Sequence, residues 1–299
     1  NPGNTSVLME KIADGLGVLT KLSYTRLSQA SSGTYLRGSG SVYPVTDFQG
    51  PLTVVSSVMV DNGKGSLNTQ NYYYEGAKIH LRGKGLLGYM KSGIFDVASA
   101  ISIENIITNG FHSTYFYPLV QMSLRKTGTN DTIEIIKNTM NHVLLASATK
   151  RVFVYPQVTV NTNKKTGHKL TVTTSSYDNY GNPGSIVRTY SGGPTVTETS
   201  QYNNTVSSSQ WLLGRPTSTT LKFSKSGENT ITRTGTRVFS STSNNLSAET
   251  WYSGTSNQFV KGFKYNTNGS LKRDSITAGG VYRTNIYTYE TNGIRIKTI

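Results

Sequence analysis

The stretch SSYDNYGNPGSIVRTYSGG, residues 175–193, decides how this chain is read. A tyrosine leads into a polar Asp/Asn run, a glycine stands four residues past it, and an alternating segment ends in paired glycines. The pattern Tyr-x-x-x-Gly returns as YNTNG at residues 265–269 and YETNG at residues 289–293, each followed by another alternating segment. In these two copies Asn268-Gly269 and Asn292-Gly293 are hairpin dipeptides, because Asn and Gly tolerate the positive φ that mirror-image turns require. Each tyrosine is expected to close the incoming strand and pack across the hairpin. Three copies at strand–turn–strand boundaries read as a true repeat.

Outward from that stretch, period-two alternation covers almost every segment. GAKIHLRGKG puts Ile79 and Leu81 on one face, with Lys78, His80 and Arg82 on the other. HKLTVTTSSY sets Leu170 and Val172 against threonines, and GIRIKTI sets Ile294 and Ile296 against Arg295 and Lys297. TTLKFSKSGENTITRT reads as two strands around a turn at residues 226–229. Two segments also admit a helix. FDVASAISIENII (95–107) is a weak, Ile-rich candidate. NDTIEIIKNTMNHVLLASA (130–148) has a cap at Asp131 with Glu134 three residues on, but its Ile and Thr content and the central Asn138 and Asn141 favour a hairpin. The expected fold is all-β, a long antiparallel strip of hairpins. It falls into residues 1–93 (Gly-rich, with long loops), 94–176 (connecting hairpins) and 177–299 (the repeat-bearing part), as one continuous sheet system.

Composition supports a thin sheet. Of 299 residues 35% are hydrophobic, and 19 tyrosines supply part of that share, which is low for a thick core. Thr, Tyr, Val and Ser suit a pleated surface with one wet face. With no cysteine, disulfides, thiolate metal sites and a cysteine nucleophile are excluded. No stretch approaches the ~18 apolar residues of a membrane span. The opening NPGNTS has no Met, basic n-region or apolar h-region, and the chain is read as a fragment of a larger polypeptide. Thirty basic against fifteen acidic residues give a net charge of +15, which attracts polyanions. The cations are scattered singly, however, as lysines on solvent faces and sheet edges are.

No motif carries catalysis. GKGLLG (83–88) matches Gly-x-Gly-x-x-Gly but lacks the strand–helix context of a dinucleotide site, and reads as a glycine bend in a β strip. His80, His112, His142 and His168 lack metal-ligand spacing and read as surface or packing residues. Glu75, Asp96 and Asp178 lie near Gly-rich turns, where a local hydrogen bond explains an Asp. DNGKG (61–65) lacks the further acids of a calcium loop and reads as a hairpin turn. The Asn-x-Ser/Thr sites at Asn203 and Asn245 matter only in a eukaryotic secretory pathway. Tyr72, Tyr73 and Tyr74, with Tyr282, Tyr287 and Tyr289, offer either a stacking platform or cross-strand pairs; alternation favours the pairs. No catalytic, cofactor-binding or metal residue is assigned.

YDNYGNPGSIVRT resembles the YD repeat of RHS-repeat proteins. DGLGVLTKLSYTRLS (14–28), YPVTDFQGPLTVVSSV (43–58), YYYEGAKIHLRGKGLLGY (72–89) and WLLGRPTSTT (211–220), with YFYP (115–118) and VFVYP (152–156) between them, resemble the middle region of one branch. That branch comprises the B component (TcdB-like) of bacterial Tc insecticidal toxins and SpvB-type virulence proteins. The resemblance implies a wall segment of a curved or spiralling shell, secreted as part of a bacterial toxin complex. Such a shell encloses a cytotoxic C-terminal segment of the same or a partner chain. The implied role is structural and non-enzymatic, with no cofactor. The implied partners are an upstream β-propeller and a downstream toxin cargo of the same polypeptide, or a complementary toxin subunit. The Asp-rich propeller repeats and the Asp-Pro self-cleavage core of that family do not occur in this sequence. The alternative reading is a secreted or surface β-rich module that binds polyanions or acidic glycans through its basic surface.

Overall fold

A computed structural model describes residues 8–29, 33–128, 131–146, 151–208, 210–290 and 295–298. The chain is all-β, and its only helical piece among these residues is one 3-10 turn at Leu27–Gln29. It divides into two compact units, Asn1–Leu170 and Thr171–Ile299.

The first unit contains β1 (Lys11–Ala13), β2 (Leu19–Arg26), β3 (Tyr35–Leu36), β4 (Val45–Asp47), β5 (Thr53–Asp61), β6 (Leu67–His80), β7 (Gly85–Asp96), β8 (Ile101–Phe111), β9 (Pro118–Thr127), β10 (Asp131–Ala146) and β11 (Arg151–Asn163). Antiparallel pairing runs β1–β2–β5–β6–β7–β8–β9–β10–β11. β5 covers only the first part of β6. The rest of that edge takes β4 antiparallel and the two-residue β3 in parallel.

The second unit begins within β12 (Lys169–Tyr177). It continues through β13 (Pro183–Tyr190), β14 (Thr195–Val206), β15 (Trp211–Ser224), β16 (Ile231–Phe239), β17 (Leu246–Trp251), β18 (Phe259–Tyr265), β19 (Leu271–Ala278) and β20 (Val281–Ile286). From β13 to β20 each strand pairs antiparallel with the next. A short separate pair, β21 (Thr288–Tyr289) with β22 (Ile296–Thr298), follows.

Little of this structure is fully buried. Among the described residues the buried hydrophobics are Leu27, Tyr35, Ala77, Val120 and Tyr155. Leu27, Tyr35 and Ala77 form a small cluster in the first unit, packed by Phe48, Val54, Tyr74 and Tyr89. Most strand residues elsewhere are half-buried, as in a sheet solvated on at least one face.

The repeat has a definite geometry. Tyr177, Tyr265 and Tyr289 are each the last residue of a strand. In YDNYG the Asp178 N–H donates to the Asn182 carbonyl at 3.0 Å, and Gly181 N–H to the Asp178 carbonyl at 3.2 Å. In YNTNG the Asn266 N–H donates to the Ser270 carbonyl at 2.8 Å, and Gly269 N–H to the Asn266 carbonyl at 3.0 Å. Gly181 and Gly269 have φ of 89° and 85°. Both are three-residue loops in which a tight turn ends on a left-handed glycine, and not two-residue mirror-image turns. Asn268 keeps a negative φ, which corrects the expectation that Asn and Gly both turn left-handed. Asn292-Gly293 lies outside the described residues. The same two bonds close the loop at Asp14–Val18, both at 3.1 Å, where no tyrosine precedes.

Three further expectations are settled by the strands. Residues 95–107 form no helix: β7 ends at Asp96 and β8 starts at Ile101, with Asp96 Oδ1 accepting from the Ser99 N–H and hydroxyl, both at 2.8 Å. Residues 131–146 are one strand, β10, and not the hairpin expected at 130–148. The central asparagines make cross-strand bonds where a turn was expected. Asn138 Oδ1 accepts from Thr159 Oγ1 at 2.7 Å, and Asn141 Nδ2 donates to Gln157 at 3.2 Å. A bulge at Thr139/Met140 absorbs the irregularity. At the end of β6 the buried residues are Lys78 and His80, while Leu81 is 58% exposed in the following turn. Hydropathy alone ranks that face the other way. Asp47 reverses the order by neutralising Lys78, and Ser41 accepts a bond from its ammonium at 2.9 Å.

Candidate functional site

The densest constellation of titratable and aromatic side chains lies on the connector between β8 and β9. Asn109 and Gly110 both adopt positive φ, and the register shifts between Thr108 and Phe111, so the strand is re-aimed as it ends. The connector closes with His112 N–H donating to the Tyr117 carbonyl at 2.8 Å and Phe116 N–H to the His112 carbonyl at 2.9 Å. His112 Nδ1 accepts the Thr114 and Tyr115 N–H groups at 3.1 and 3.2 Å. In this loop the His112 Nδ1 serves as an acceptor.

β10 brings His142 against this loop. Its ring lies 5.1 Å from that of His112 and 4.7 Å from that of Tyr115. Its Nδ1 is 2.8 Å from the Tyr117 hydroxyl. Burial, with His112 adding to it, holds the His142 pKa below the ordinary histidine value. Burial, then Tyr155 and Tyr115, pushes Tyr117 above the ordinary phenol value. Both groups are therefore neutral near pH 7 and share one hydrogen bond, whose direction the imidazole tautomer sets.

On the other side of the loop His80 packs on Phe116, with ring centroids 4.3 Å apart, and its Nδ1 accepts the Lys84 N–H at 3.4 Å. Lys84 Nζ lies 5.7 Å over the Phe116 ring and donates to the Tyr115 carbonyl at 3.1 Å. Between these groups opens a cleft of about 490 Å³, lined by Pro44, Arg82, Ser113 and Thr114 together with the residues just named. No carboxylate lines it. Among the described residues no three His, Cys, Asp or Glu are placed to hold a metal ion.

The sequence assigned no site, and only sheet register brings His80, His112 and His142 to one loop. His168 stays exposed in the turn after β11. Asp178 serves its turn, with Oδ1 accepting from the Tyr180 and Asn182 N–H groups at 2.9 Å each and Oδ2 from Asn182 and Asn204 side chains at 2.9 and 2.7 Å. Gly83, Gly85 and Gly88, the glycines of GKGLLG, all have positive φ, at a turn and in the first residues of β7, as a β bend requires.

A second cluster is structural. Tyr73 and Tyr74 point to opposite faces of β6. Tyr74 meets Tyr89 with centroids 4.8 Å apart, while Tyr73 donates to Glu104 Oε1 at 2.9 Å. Lys126 and Lys91 also reach Glu104, at 2.8 and 3.4 Å. Burial raises the Glu104 pKa, but the bonds from Lys126 and Tyr73 and the charges of both lysines outweigh it, leaving the carboxyl below its ordinary value. Tyr73 crosses Gly93, where any Cβ would clash with its ring.

Residues 1–119 match the family model described as the insecticide toxin TcdB middle/N-terminal region. The motifs at 14–28, 43–58 and 72–89 fall inside this match, so the chain resembles the middle region of TcdB-type Tc toxin components. No curated protein matches the sequence. A crystal structure of TcdB2-TccC3-Cdc42 has a similar fold, with a TM-score of 0.54 and 8% identity over 84% of this chain and 18% of that one. A crystal structure of TcdB2-TccC3 without its hypervariable C-terminal region gives a TM-score of 0.26 and 11% identity over 96% and 19%. A Photorhabdus luminescens Tc holotoxin pore gives 0.23 and 9% over 96% and 18%. The chain thus spans about a fifth of the length of the structures it matches.

Proposed function

We propose that this chain is a non-enzymatic structural segment of an RHS/YD-repeat toxin shell, one that encapsulates or delivers a cytotoxic C-terminal cargo. The observation that carries the reading is the scarcity of core. Long antiparallel strips place most residues half in water, and among the described residues Leu27 is the one large side chain fully buried. A chain of this size that bound ligands as an independent module would close two layers around a core. Strips of this kind make a wall, whose stability comes from backbone ladders, cross-strand pairs and neutralised charge clusters such as Glu104 with Lys91 and Lys126.

In this reading residues 1–93, 94–176 and 177–299 are successive stretches of that wall. The partners are an upstream β-propeller and a downstream cargo in the same polypeptide, or a complementary toxin subunit. The complex is secreted. The match of residues 1–119 to the TcdB middle region supports this placement. Among the described residues no helix is long and apolar enough to cross a membrane.

Protease protection tests the proposal. In the polypeptide that contains this chain, the C-terminal cargo is expected to resist proteolysis while the β wall is folded and to be digested once mild denaturant opens it. Digestion of the cargo at the same rate in the native protein contradicts containment.

A further inference from the structure

The second unit divides its charge unevenly between the faces of its sheet. Residues directly opposite one another on paired strands share a face. Register links Glu198 to Leu221 and Leu221 to Arg233 on one face. The same face continues with Arg237 opposite Glu249, Glu249 opposite Lys261, and Phe263 opposite Asp274. All the carboxylates on β13–β20, namely Glu198, Glu249 and Asp274, are therefore on this one face. Each is engaged there. Arg188 and Arg237 reach Glu198 and Glu249, each at 3.0 Å, and the Tyr287 and Asn285 side chains donate to Asp274 at 2.6 and 2.9 Å. Trp251 and Phe223 also lie here under Arg237 and Arg233.

The opposite face has no carboxylate on these strands. Its register rows run Thr197–Lys222–Thr232 and Lys264–Arg273–Ile286, with Thr277 opposite Tyr282. Lys222 and Lys264 are exposed, and Arg273 is half-buried beside them. On this face hydrogen bonds from Thr284 and Ser275, then the charges of Arg273 and Lys264, hold the Tyr282 phenol below the ordinary value.

The geometry points to this acid-free face as a docking surface for an extended acidic polypeptide segment. Charge complementarity selects an anionic partner, since three cations face solvent there without a carboxylate to neutralise them. Their density is too low for nucleic acid, where a binding protein engages about 6–10 phosphates. The threonine rows between the cations offer hydroxyls that both donate and accept, which matches the alternating N–H and C=O groups of an extended backbone. This surface holds a partner by charge and hydrogen bonds and offers little apolar burial, so binding is weak and salt-sensitive. The inference stands apart from the containment reading, because it concerns one face of one unit and names the chemistry of whatever lies against it.

Fluorescence anisotropy of a labelled poly-glutamate peptide, titrated with the full chain at low and at high salt, tests it. Binding is expected at low salt and lost at high salt. The triple variant Lys222→Glu, Lys264→Glu, Arg273→Glu should weaken it by about tenfold or more, and Arg233→Glu, Lys261→Glu, Arg283→Glu on the other face by less than about twofold. Circular dichroism verifies that both variants fold. Should the first triple fail to fold, Lys264→Gln alone is expected to weaken binding about twofold. Equal losses from both triples, undiminished binding by the first triple or by Lys264→Gln, or binding of a heparin oligosaccharide without binding of poly-glutamate would each overturn the assignment.

Discussion

Asp178 and Asn266 occupy the same place in two hairpin loops: each follows a strand-ending tyrosine, and each pairs its N–H with the carbonyl four residues on. Asp178 does more than Asn266. Its carboxylate collects four hydrogen bonds, including one from Asn204 in β14. Burial raises its pKa, but these bonds outweigh the effect and leave it below the ordinary value. Asp14 holds the equivalent loop with only two, from the Leu16 and Val18 N–H groups at 2.8 and 2.9 Å.

The first prediction follows from that difference. Asp178→Ala should cost about 2–3 kcal/mol of unfolding free energy, because hydrogen bonds to a charged acceptor are lost together. Asp14→Ala, at an exposed turn, should cost about 1 kcal/mol. Denaturant titration followed by tyrosine and tryptophan fluorescence measures both, and equal costs would show that the link to Asn204 contributes nothing.

The crossing of Tyr73 over Gly93 makes that glycine sensitive. Gly93→Val forces the ring away and should destabilise by about 3 kcal/mol, the upper end for overpacking. Glu104→Ala leaves Lys126 and Lys91 without their shared carboxylate and should also cost about 3 kcal/mol, in the range for breaking a buried ion pair. The pair Gly93→Val and Tyr73→Ala, combined in a double-mutant cycle, should be clearly non-additive.

Acid should weaken the chain in two separate ranges. His142 has a folded pKa below its unfolded value of 6.5. The unfolded state therefore takes up the proton first, and stability present above pH 6.5 is lost as pH falls from there through the folded pKa. Asp47, Asp96, Glu104 and Asp178 also have lowered pKa values. Their contribution is present above the unfolded carboxyl values, 3.8 for Asp and 4.5 for Glu, and is lost as pH falls further through the folded ones. His142→Gln should flatten the upper limb of a melting-temperature profile and leave the lower limb intact. An unchanged upper limb would remove His142 from the account.

Alkaline titration separates the tyrosines. Burial, with Tyr89 and Tyr72 adding to it, pushes Tyr74 up to about 12. Tyr282 ionises below the ordinary phenol value of 10.0. Difference absorbance of Tyr282→Phe should lack the earliest phenolate signal, and that of Tyr74→Phe should lack a late one. The reverse order would contradict the environments described.

Period two made the strands legible, and the Tyr-x-x-x-Gly copies at 177–181 and 265–269 located two turns of the second unit. The turn itself belongs to the Asp or Asn and the glycine three residues on, not to the tyrosine. Asn62 and Gly65 show this: Asn62 N–H meets the Ser66 carbonyl at 3.0 Å and Gly65 has φ of 80° with no tyrosine before them. β10 was misread because asparagines that usually signal turns were satisfied by Thr159 and Gln157 on the neighbouring strand. The gathering of His80, His112 and His142 was not legible at all. These residues are far apart in the chain, and only the register of β6, β8 and β10 together with one re-aimed connector brings them to the same loop.

The measurement that bears most directly on the central claim is a density map of the complete polypeptide that contains this chain. The containment account predicts a hollow β shell with density inside it and residues 8–298 forming part of its wall. A solid particle, with these residues folded as a discrete body outside any cavity, would contradict it.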